Sequence, residues 1–506
     1  MVNALKPAET VGVIGVGTMG AGIAQVAAAA GHPVVLTDVA PGRAAHAVEQ
    51  LRATFEKLAA KGRMTPEAAG ESVGRLSVGD DLASLAGASL IIEAALERLD
   101  IKTQLFAQLE QIVSPDCILA TNTSTISISA IAAPLEHGGR VVGMHFFNPA
   151  PLMRLVEVIN GLRTDPDAME RVALTATAWG KTAIKVASTP GFVVNRVARP
   201  FYGEALRAYE ERTASAATID AVVRESGGFR MGPLELTDLI GQDINYASAR
   251  SVWEGFGFDP RYSPSLTQGE LVAAGLLGRK TGRGFYTYDG SAHPEPTSAA
   301  PTPAPSHIDV SGEWGPWEPL WTRIAEAGVD VRRGEPDGPP AARTAGASLV
   351  PVSGPTATEI AAACGRPTVV LDLALDVATA TRLAVAPSDD CPTEALAEVV
   401  GVLQASGAAV SVIDDLPGML VARTVAMLVN EAADVAARGV ASPADVDAAM
   451  RLGANYPKGP LEWGDTVGAR WIQNLLTSLG THYGDGRYRP CPLLRRTALT
   501  GGKLSA

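Results

Sequence analysis

Over roughly the first 190 residues, short apolar runs alternate with segments whose apolar positions recur at helical spacing. Val11 to Ile14 is an apolar run, and an alanine-rich helical pattern and a second run ending at Asp38 follow it. Residues 44–62 read as a helix, Leu90 to Ala95 as a buried strand, and a helix opens with Glu97, Arg98 and Lys102 and runs to about Val113. Ile118 to Ala120, the run from Val141 and Lys181 to Ala187 complete the strands. Strands alternating with helices predict an α/β domain around a mostly parallel sheet. Thr189-Pro190-Gly191 ends this pattern. From Phe192 one long helix is predicted, followed by helices over 218–228, 234–254 and 268–277, punctuated by Gly232-Pro233 and Gly278. Residues 291–306 are rich in Pro, Ala and Ser and read as an extended linker.

Composition narrows the class. A chain of 506 residues, 46% hydrophobic and 19% charged, is long enough for several cores. No apolar run has the length of a membrane span, and the N-terminal residues lack a signal-peptide layout. Four cysteines at Cys117, Cys364, Cys391 and Cys491 lie far apart without metal or disulfide spacing, which predicts a reducing, cytoplasmic setting. A formal charge of -12 argues against general nucleic-acid binding.

The first candidate chemistry is Gly15-x-Gly17-x-x-Gly20, directly after an apolar strand and opening a helix. Glycines at this spacing permit a tight turn, a close approach of backbone to a pyrophosphate and close helix–strand packing. The segment Gly15, Gly17, Thr18, Met19 and Gly20 is therefore the expected phosphate cradle, with the helix N-terminus receiving the charge. Asp38 ends the next strand, 18 residues after Gly20, where a carboxylate bonds a ribose hydroxyl and repels a 2′-phosphate. NAD is the predicted cofactor, and Arg43 leaves the NADP alternative open.

The second is VVGMHFFNPAPLMRLVEVI, residues 141–159, in which His145 and Glu157 each stand inside an apolar run. Both are costly to bury singly, so their meeting as a carboxylate-oriented histidine base stands beside the reading of two unrelated buried polar residues. Thr121-Asn122-Thr123-Ser124 ends a strand, where ligands of open α/β sheets lie. Ser124 equally suits the N-cap of the following helical segment. Lys57 and Lys61 read as a solvated helix face.

Six blocks, GVIGVGTMGAGIAQVAAAAGHPVVLTD, TNTSTISI, GMHFFNPAPLMRLVEV, TPGFVVNR, MGPLELTDLIGQD and GRKTGRGFY, resemble the 3-hydroxyacyl-CoA dehydrogenase family, including its 3-hydroxybutyryl-CoA members. They occur in that family's order and cover the first 290 residues. The resemblance implies His145 as catalytic base, Glu157 orienting it, and Ser124 and Asn195 bonding the substrate oxygen. It implies Asp38, Glu97, Lys102, Asn148 and Lys280 as NAD contacts, and Ser124 and Lys57 as contacts of the CoA thioester or its carrier. Segment 40–75, which holds Lys57, matches the family only loosely.

LPGMLVARTVAMLVNEA at 416–432 repeats TPGFVVNRVARPFYGEA at 189–205, at a constant offset of 227 residues. Pro190-Gly191, Arg196, Asp220, Gly232-Pro233-Leu234-Glu235, Asp238 and Gly241 all recur at that offset, which marks an internal duplication. Upstream the offset carries His145 to Asp372, Glu157 to Ala384 and Asn195 to Ala422, so the second copy has lost the chemistry. The expected fold is an α/β Rossmann NAD-binding domain (1–188), a helical domain (189–290), a linker (291–309), a degenerate α/β segment (310–415) and a second, non-catalytic helical domain (416–506). The family resemblance further implies that the two helical halves pair as an intramolecular pseudo-dimer.

The expected activity is NAD-dependent oxidation of (S)-3-hydroxyacyl-CoA. A dehydrogenase of free 3-hydroxy acids and a non-catalytic NAD-binding scaffold are the alternatives. The tandem layout resembles dehydrogenases of phenylacetate breakdown that act on 3-hydroxyadipyl-CoA.

Overall fold

The computed structural model of the protein describes residues 2–334 and 338–506. The chain forms two compact units, residues 1–195 with 438–454, and residues 196–437 with 455–506.

The first unit is built on β1 (Val11–Ile14), β2 (Val34–Thr37), β3 (Leu76–Val78), β4 (Leu90–Glu93), β5 (Ile118–Thr121), β6 (Val141–Phe146), β7 (Leu155–Asn160) and β8 (Thr182–Ala187). They lie in the order β3-β2-β1-β4-β5-β6-β7-β8. All neighbours run parallel except β6 and β7, which are antiparallel. The strands β1, β4, β5 and β6 are buried throughout, as continuous apolar runs in a sheet covered on both faces must be. The connections carry α1 (Thr18–Ala29), α2 (Arg43–Ala60), α3 (Pro66–Gly74), α4 (Leu99–Ile112), α5 (Ile128–Ala132) and α6 (Pro166–Ala178), and α7 (Val194–Val197) straddles the boundary between the units.

The second unit begins with α8 (Arg199–Glu210), α9 (Ala216–Glu225), α10 (Pro233–Ile240), α11 (Gln242–Gly255) and α12 (Leu266–Ala273). The predicted long helix from Phe192 is therefore two pieces. Gly191 and Phe192 are both left-handed, with φ 74° and 50°, and this delays the start. Pro200 cannot donate to Arg196, and the helix restarts at Arg199. The predicted helix over 234–254 is also two, because Gly241 takes φ 104° between α10 and α11.

A second sheet follows, with β9 (His307–Ser311), β10 (Asp330–Arg333), β11 (Ala341–Arg343), β12 (Ser348–Pro351), β13 (Thr368–Leu371), β14 (Arg382–Pro387) and β15 (Ala409–Val412), and with helices α13 (Glu318–Glu326), α14 (Ala357–Cys364) and α15 (Thr393–Ala405). Its order is β10-β9-β11-β12-β13-β14-β15. Strands β12 to β15 pair parallel, antiparallel, parallel, the same succession as β5 to β8. Leu371 faces Val385 as Met144 faces Val158, so the 227-residue offset holds in the strand register itself.

The segment 291–306 is docked on this second sheet. Ala299 N donates to Val410 O at 2.7 Å, Thr302 N to Gln404 Oε1 at 2.8 Å, and Ser411 Oγ to Thr297 O at 2.7 Å. It is extended as predicted, but tied down, and the sheet starts at His307, inside the expected linker.

The chain continues as α16 (Val421–Ala437), α17 (Pro443–Gly453), α18 (Pro460–Val467), α19 (Ala469–Tyr483) and α20 (Pro492–Thr500). Gly418 and Met419 are left-handed like their counterparts, and Gly468 separates α18 from α19 as Gly241 separates α10 from α11. α16 is unbroken because Met427 stands where the first copy has Pro200.

Within the second unit α16 packs on α8, and two buried ion pairs that exchange partners between the copies tie it there and to the end of α7. Arg196 Nε donates to Glu431 at 2.6 Å, and Arg423 Nε donates to Glu204 at 2.7 Å. Both arginines are fully buried, and a tyrosine hydroxyl completes each pair, Tyr262 on Glu431 and Tyr488 on Glu204. α17 belongs to the first unit, where it packs on β7 and β8. Its counterpart α9 packs in the second unit on β14, the counterpart of β7.

Candidate active site

The glycine turn after β1 has the form a dinucleotide phosphate requires. Gly15 takes φ 85°, and a Cβ on Gly20 would stand 1.8 Å from Gly15 O. A Cβ on Gly17 would meet nothing within 4 Å, so the turn is open on that side. Gly17 caps α1 without a side chain, which leaves the amides of Thr18 and Met19 to an incoming anion. Asp38 sits just past β2, its oxygens accepting from Val16 N and Ala40 N at 3.0 Å each, with Arg43 3.8 Å away. These residues fit NAD.

The ends of β4 and β5 carry a polar cluster. Glu93, fully buried at the end of β4, holds Lys102 at 2.6 and 2.8 Å and accepts from Thr121 Oγ1 at 2.7 Å. Lys102 is 1% exposed and also reaches Glu97 at 3.3 Å, so its ammonium is enclosed by carboxylates. Glu97 precedes α4 and gathers the β5 loop, accepting from Thr123 Oγ1 at 2.6 Å, Ser124 N at 2.9 Å and Thr125 N at 3.2 Å. Burial works to raise the Glu97 carboxyl, but Lys102 and these donors outweigh it and hold it below the usual carboxylate range. Ser124 is not the cap of α5, because Ser127 does that work by accepting from Ala130 N.

His145 and Glu157 meet. They are direct partners across the antiparallel β6–β7 pair, and His145 Nδ1 lies 2.7 Å from Glu157 Oε2. Glu157 is fully buried, and its other oxygen accepts from Val193 N and Val194 N at 3.1 and 3.0 Å. One carboxylate thus orients the imidazole and caps the start of α7, the helix that carries Asn195. Among the described residues, Nε2 of His145 has no hydrogen-bond partner. Phe147 lies against the ring with centroids 4.6 Å apart, and Phe192 stands at 6.0 Å.

Asn148 is exposed on the loop after β6. Lys181 steadies that loop through its buried ammonium, which donates to Ala150 O at 2.6 Å and Met153 O at 2.8 Å. Lys57 is exposed on α2, and Lys280 lies in the second unit, paired with Asp243. Sequence reasoning passed over the roles of Glu93, Phe147 and Lys181, and placed Asn122 only as part of the polar strand end. Asn122 Oδ1 accepts from Phe146 N at 2.8 Å and ties the β5 loop beside His145. An acid inside the run LIIEAA was the available signal for Glu93, the same signal that singled out Glu157.

In the second copy Asp372 stands at the His145 position and Ala384 at the Glu157 position. Asp372 accepts from Leu420 N at 3.0 Å, Val421 N at 2.8 Å and Ala422 N at 3.0 Å, the amides opening α16. It has taken over the capping role of Glu157.

Residues 10–189 match the 3-hydroxyacyl-CoA dehydrogenase NAD binding domain. The C-terminal domain of that family matches twice, at residues 191–288 and 418–504, and the 3-hydroxybutyryl-CoA dehydrogenase reduced Rossmann-fold domain matches residues 349–417. The 3-hydroxyadipyl-CoA dehydrogenase of Escherichia coli K12 is 45% identical over 97% of this chain and 98% of its own length. This chain belongs to the 3-hydroxyacyl-CoA dehydrogenase family. A probable 3-hydroxybutyryl-CoA dehydrogenase of Deinococcus radiodurans is 42% identical over 55% of the chain and 99% of its own length. The crystal structure of 3-hydroxybutyryl-CoA dehydrogenase from E. coli K12 superposes with a TM-score of 0.89 at 42% identity, covering 98% of this chain and 99% of that one. The expected family, fold class and NAD-dependent oxidoreductase activity are therefore borne out. Among the described residues no helix is long and apolar enough to cross a membrane.

Proposed function

We propose that this dehydrogenase oxidises (S)-3-hydroxyacyl-CoA to 3-oxoacyl-CoA with His145 as general base, and that a dicarboxylic acyl chain of the 3-hydroxyadipyl type is its substrate. The observation that carries the reading is the buried His145–Glu157 pair with Nε2 uncommitted. Oxidising a secondary alcohol removes a proton from oxygen as hydride leaves carbon. Nε2 takes that proton, while Glu157 holds Nδ1–H and stabilises the imidazolium formed. Ser124 and Asn195 donate to the oxygen as its charge develops. Asp38 binds the adenosine ribose, and Glu97, itself positioned by Lys102, and Asn148 complete the cofactor side. Bound NAD supplies hydride acceptance at its nicotinamide. In the reverse direction the histidinium returns the proton to the oxygen. Lys57 is assigned to the CoA carrier, and the four free cysteines support a reducing, cytoplasmic setting.

The adipyl assignment is supported by the name of the E. coli relative, which matches over 97% of this chain and 98% of its own length. The intramolecular pseudo-dimer of helical halves is supported by the exchanged ion pairs Arg196–Glu431 and Arg423–Glu204. Turnover of NADH with acetoacetyl-CoA, 3-oxoadipyl-CoA and free acetoacetate tests the proposal. The expected order of kcat/KM is 3-oxoadipyl-CoA above acetoacetyl-CoA, with the free acid inert. Turnover of the free acid at a rate comparable to its CoA ester sinks the acyl-CoA reading, and absence of all turnover sinks the enzymatic one.

A further inference from the structure

Residues 438–454 come from the second copy, yet they belong to the compact unit that contains His145, Glu157, Ser124 and Asn195. The loop before α17 is fastened there by Ala187 N donating to Val440 O at 2.8 Å, and α17 then runs along β7 and β8. Its last residue, Gly453, lies against residues that frame the chemistry. A Cβ at Gly453 would stand 2.6 Å from Leu155 Cδ2, 3.0 Å from Val194 Cγ2 and 3.7 Å from Phe147 Cε1. Each of these neighbours has a defined relation to the dyad. Phe147 is the ring packed against His145. Val194 presents one of the two amides that hold Glu157 Oε1, and Asn195 is the next residue. Leu155 opens the strand that carries Glu157.

Gly453 has ordinary backbone torsions, so a turn requirement does not explain the glycine. What explains it is the space: a Cβ would press on Leu155 and Val194 and come into contact with Phe147, all three residues that frame the dyad. The second unit supplies the comparison. There the C-terminal end of α9 packs on the second sheet, with Ser226 O accepting from Leu375 N at 2.8 Å and Ser226 Oγ donating to Arg382 O at 2.9 Å. Ser226 and Arg382 are the 227-residue counterparts of Gly453 and Leu155. A side chain is tolerated where the sheet behind carries Asp372 and Ala384, and absent where it carries His145 and Glu157.

We infer that α17 of the degenerate copy is a working part of the catalytic pocket, with Gly453 a positioning residue that sets Phe147 and Val194, and through them His145 and Asn195. The inference rests on the dehydrogenase reading given above. The duplicated half retains no acid, base or cofactor turn, but it supplies the wall against which the dyad is held.

The test is a size series at Gly453 in the full-length chain, with kcat, KM for acetoacetyl-CoA, KM for NADH, NADH fluorescence binding and Tm measured together. Gly453→Ala lowers kcat by a few-fold, and Gly453→Val lowers it by about tenfold or more, since a displacement of a full ångström at a catalytic group costs up to about a hundredfold. NADH binding stays close to wild type, because the cofactor turn lies elsewhere in the sheet, while Tm falls modestly with the overpacking and recovers with the space returned at Leu155. Gly453→Val combined with Leu155→Ala recovers most of the loss, because space is returned on the side of the nearest contact. Ser226→Ala, altering the counterpart helix end, leaves kcat unchanged. The inference is overturned if Gly453→Val keeps kcat and the acyl-CoA KM within about twofold of wild type, or if NADH binding falls in parallel with kcat. If Gly453→Val does not fold, Gly453→Ala is judged by the same criteria. Wild-type turnover in the same assays separates failure of this inference from failure of the dehydrogenase reading.

Discussion

At the residue scale, the site depends on one carboxylate with two tasks. Glu157 holds His145 Nδ1 with one oxygen and the start of α7 with the other. His145→Gln keeps shape but cannot accept the proton, so kcat is expected to fall by about two to four orders of magnitude while NADH still binds. Near-wild-type kcat in that variant refutes the base assignment. Glu157→Gln still accepts the α7 amides but withdraws the negative charge from the imidazolium, so it too lowers kcat strongly. Asp38 sets cofactor choice, and Asp38→Ala is expected to narrow the kcat/KM ratio of NADH over NADPH. Equal use of both cofactors by the wild type contradicts the assignment. His145 and Glu157 were legible because polar residues inside apolar runs stand out. Phe147, Lys181 and Gly453 were not, because hydrophobic periodicity shows which face is buried but not which distant segment arrives there.

At the element scale, the predicted strands and helices hold where period and punctuation agree, and fail where a single residue breaks a continuous pattern. Pro200 splits the helix after Phe192, and Gly241 splits the helix over 234–254, although apolar spacing runs through both. α9 also carries a buried carboxyl with a structural duty. Asp220 accepts from Leu234 N and Glu235 N at 2.8 Å each, and from Tyr286 OH at 2.6 Å. Burial pushes its carboxyl from 3.8 up to about 7, although those bonds pull it down. The folded chain thus binds this proton more tightly than the unfolded chain does. The associated stability is fully present below about 4 and is lost as pH rises towards about 7. Asp220→Asn removes the titration, so Tm of the variant minus Tm of wild type is expected to increase between those limits and then level off. Thermal scans across that range decide it, and a difference that falls with pH is the contrary result.

At the scale of the whole molecule, a constant 227-residue offset in sequence became a constant register in strand pairing and an exchange of partners between copies. The duplication was legible because its turns are built from Pro and Gly at fixed places. The exchange of α9 and α17 between sheets was not, since both helices carry the same pattern and either sheet offers an apolar face. Truncation after Gly290 removes α16 and α17 together, and the fragment is expected to aggregate or to pair into a homodimer. A soluble monomeric fragment as thermally stable as the full chain refutes the pseudo-dimer. Arg423→Met leaves Glu204 buried without its cation and is expected to cost about 3–5 kcal/mol in denaturant unfolding. A change under about 1 kcal/mol shows that the pair is not a structural tie.

The aspartate that caps α16 bears on whether the second copy could regain its chemistry. With Asp372 holding the amides that open that helix, the fold of the second copy does not depend on a carboxylate at position 384. A single reversion, Asp372→His, strips three amides of their acceptor and is expected to lower Tm, whereas Asp372→His with Ala384→Glu restores a carboxylate on the facing strand and recovers part of the loss. Asp372→His alone uncaps the helix, and Ala384→Glu alone sets a second buried carboxylate on the strand facing Asp372, so change one substitution at a time meets a ratchet. The inactive copy is preserved in its inactivity by the same fold that keeps it in place.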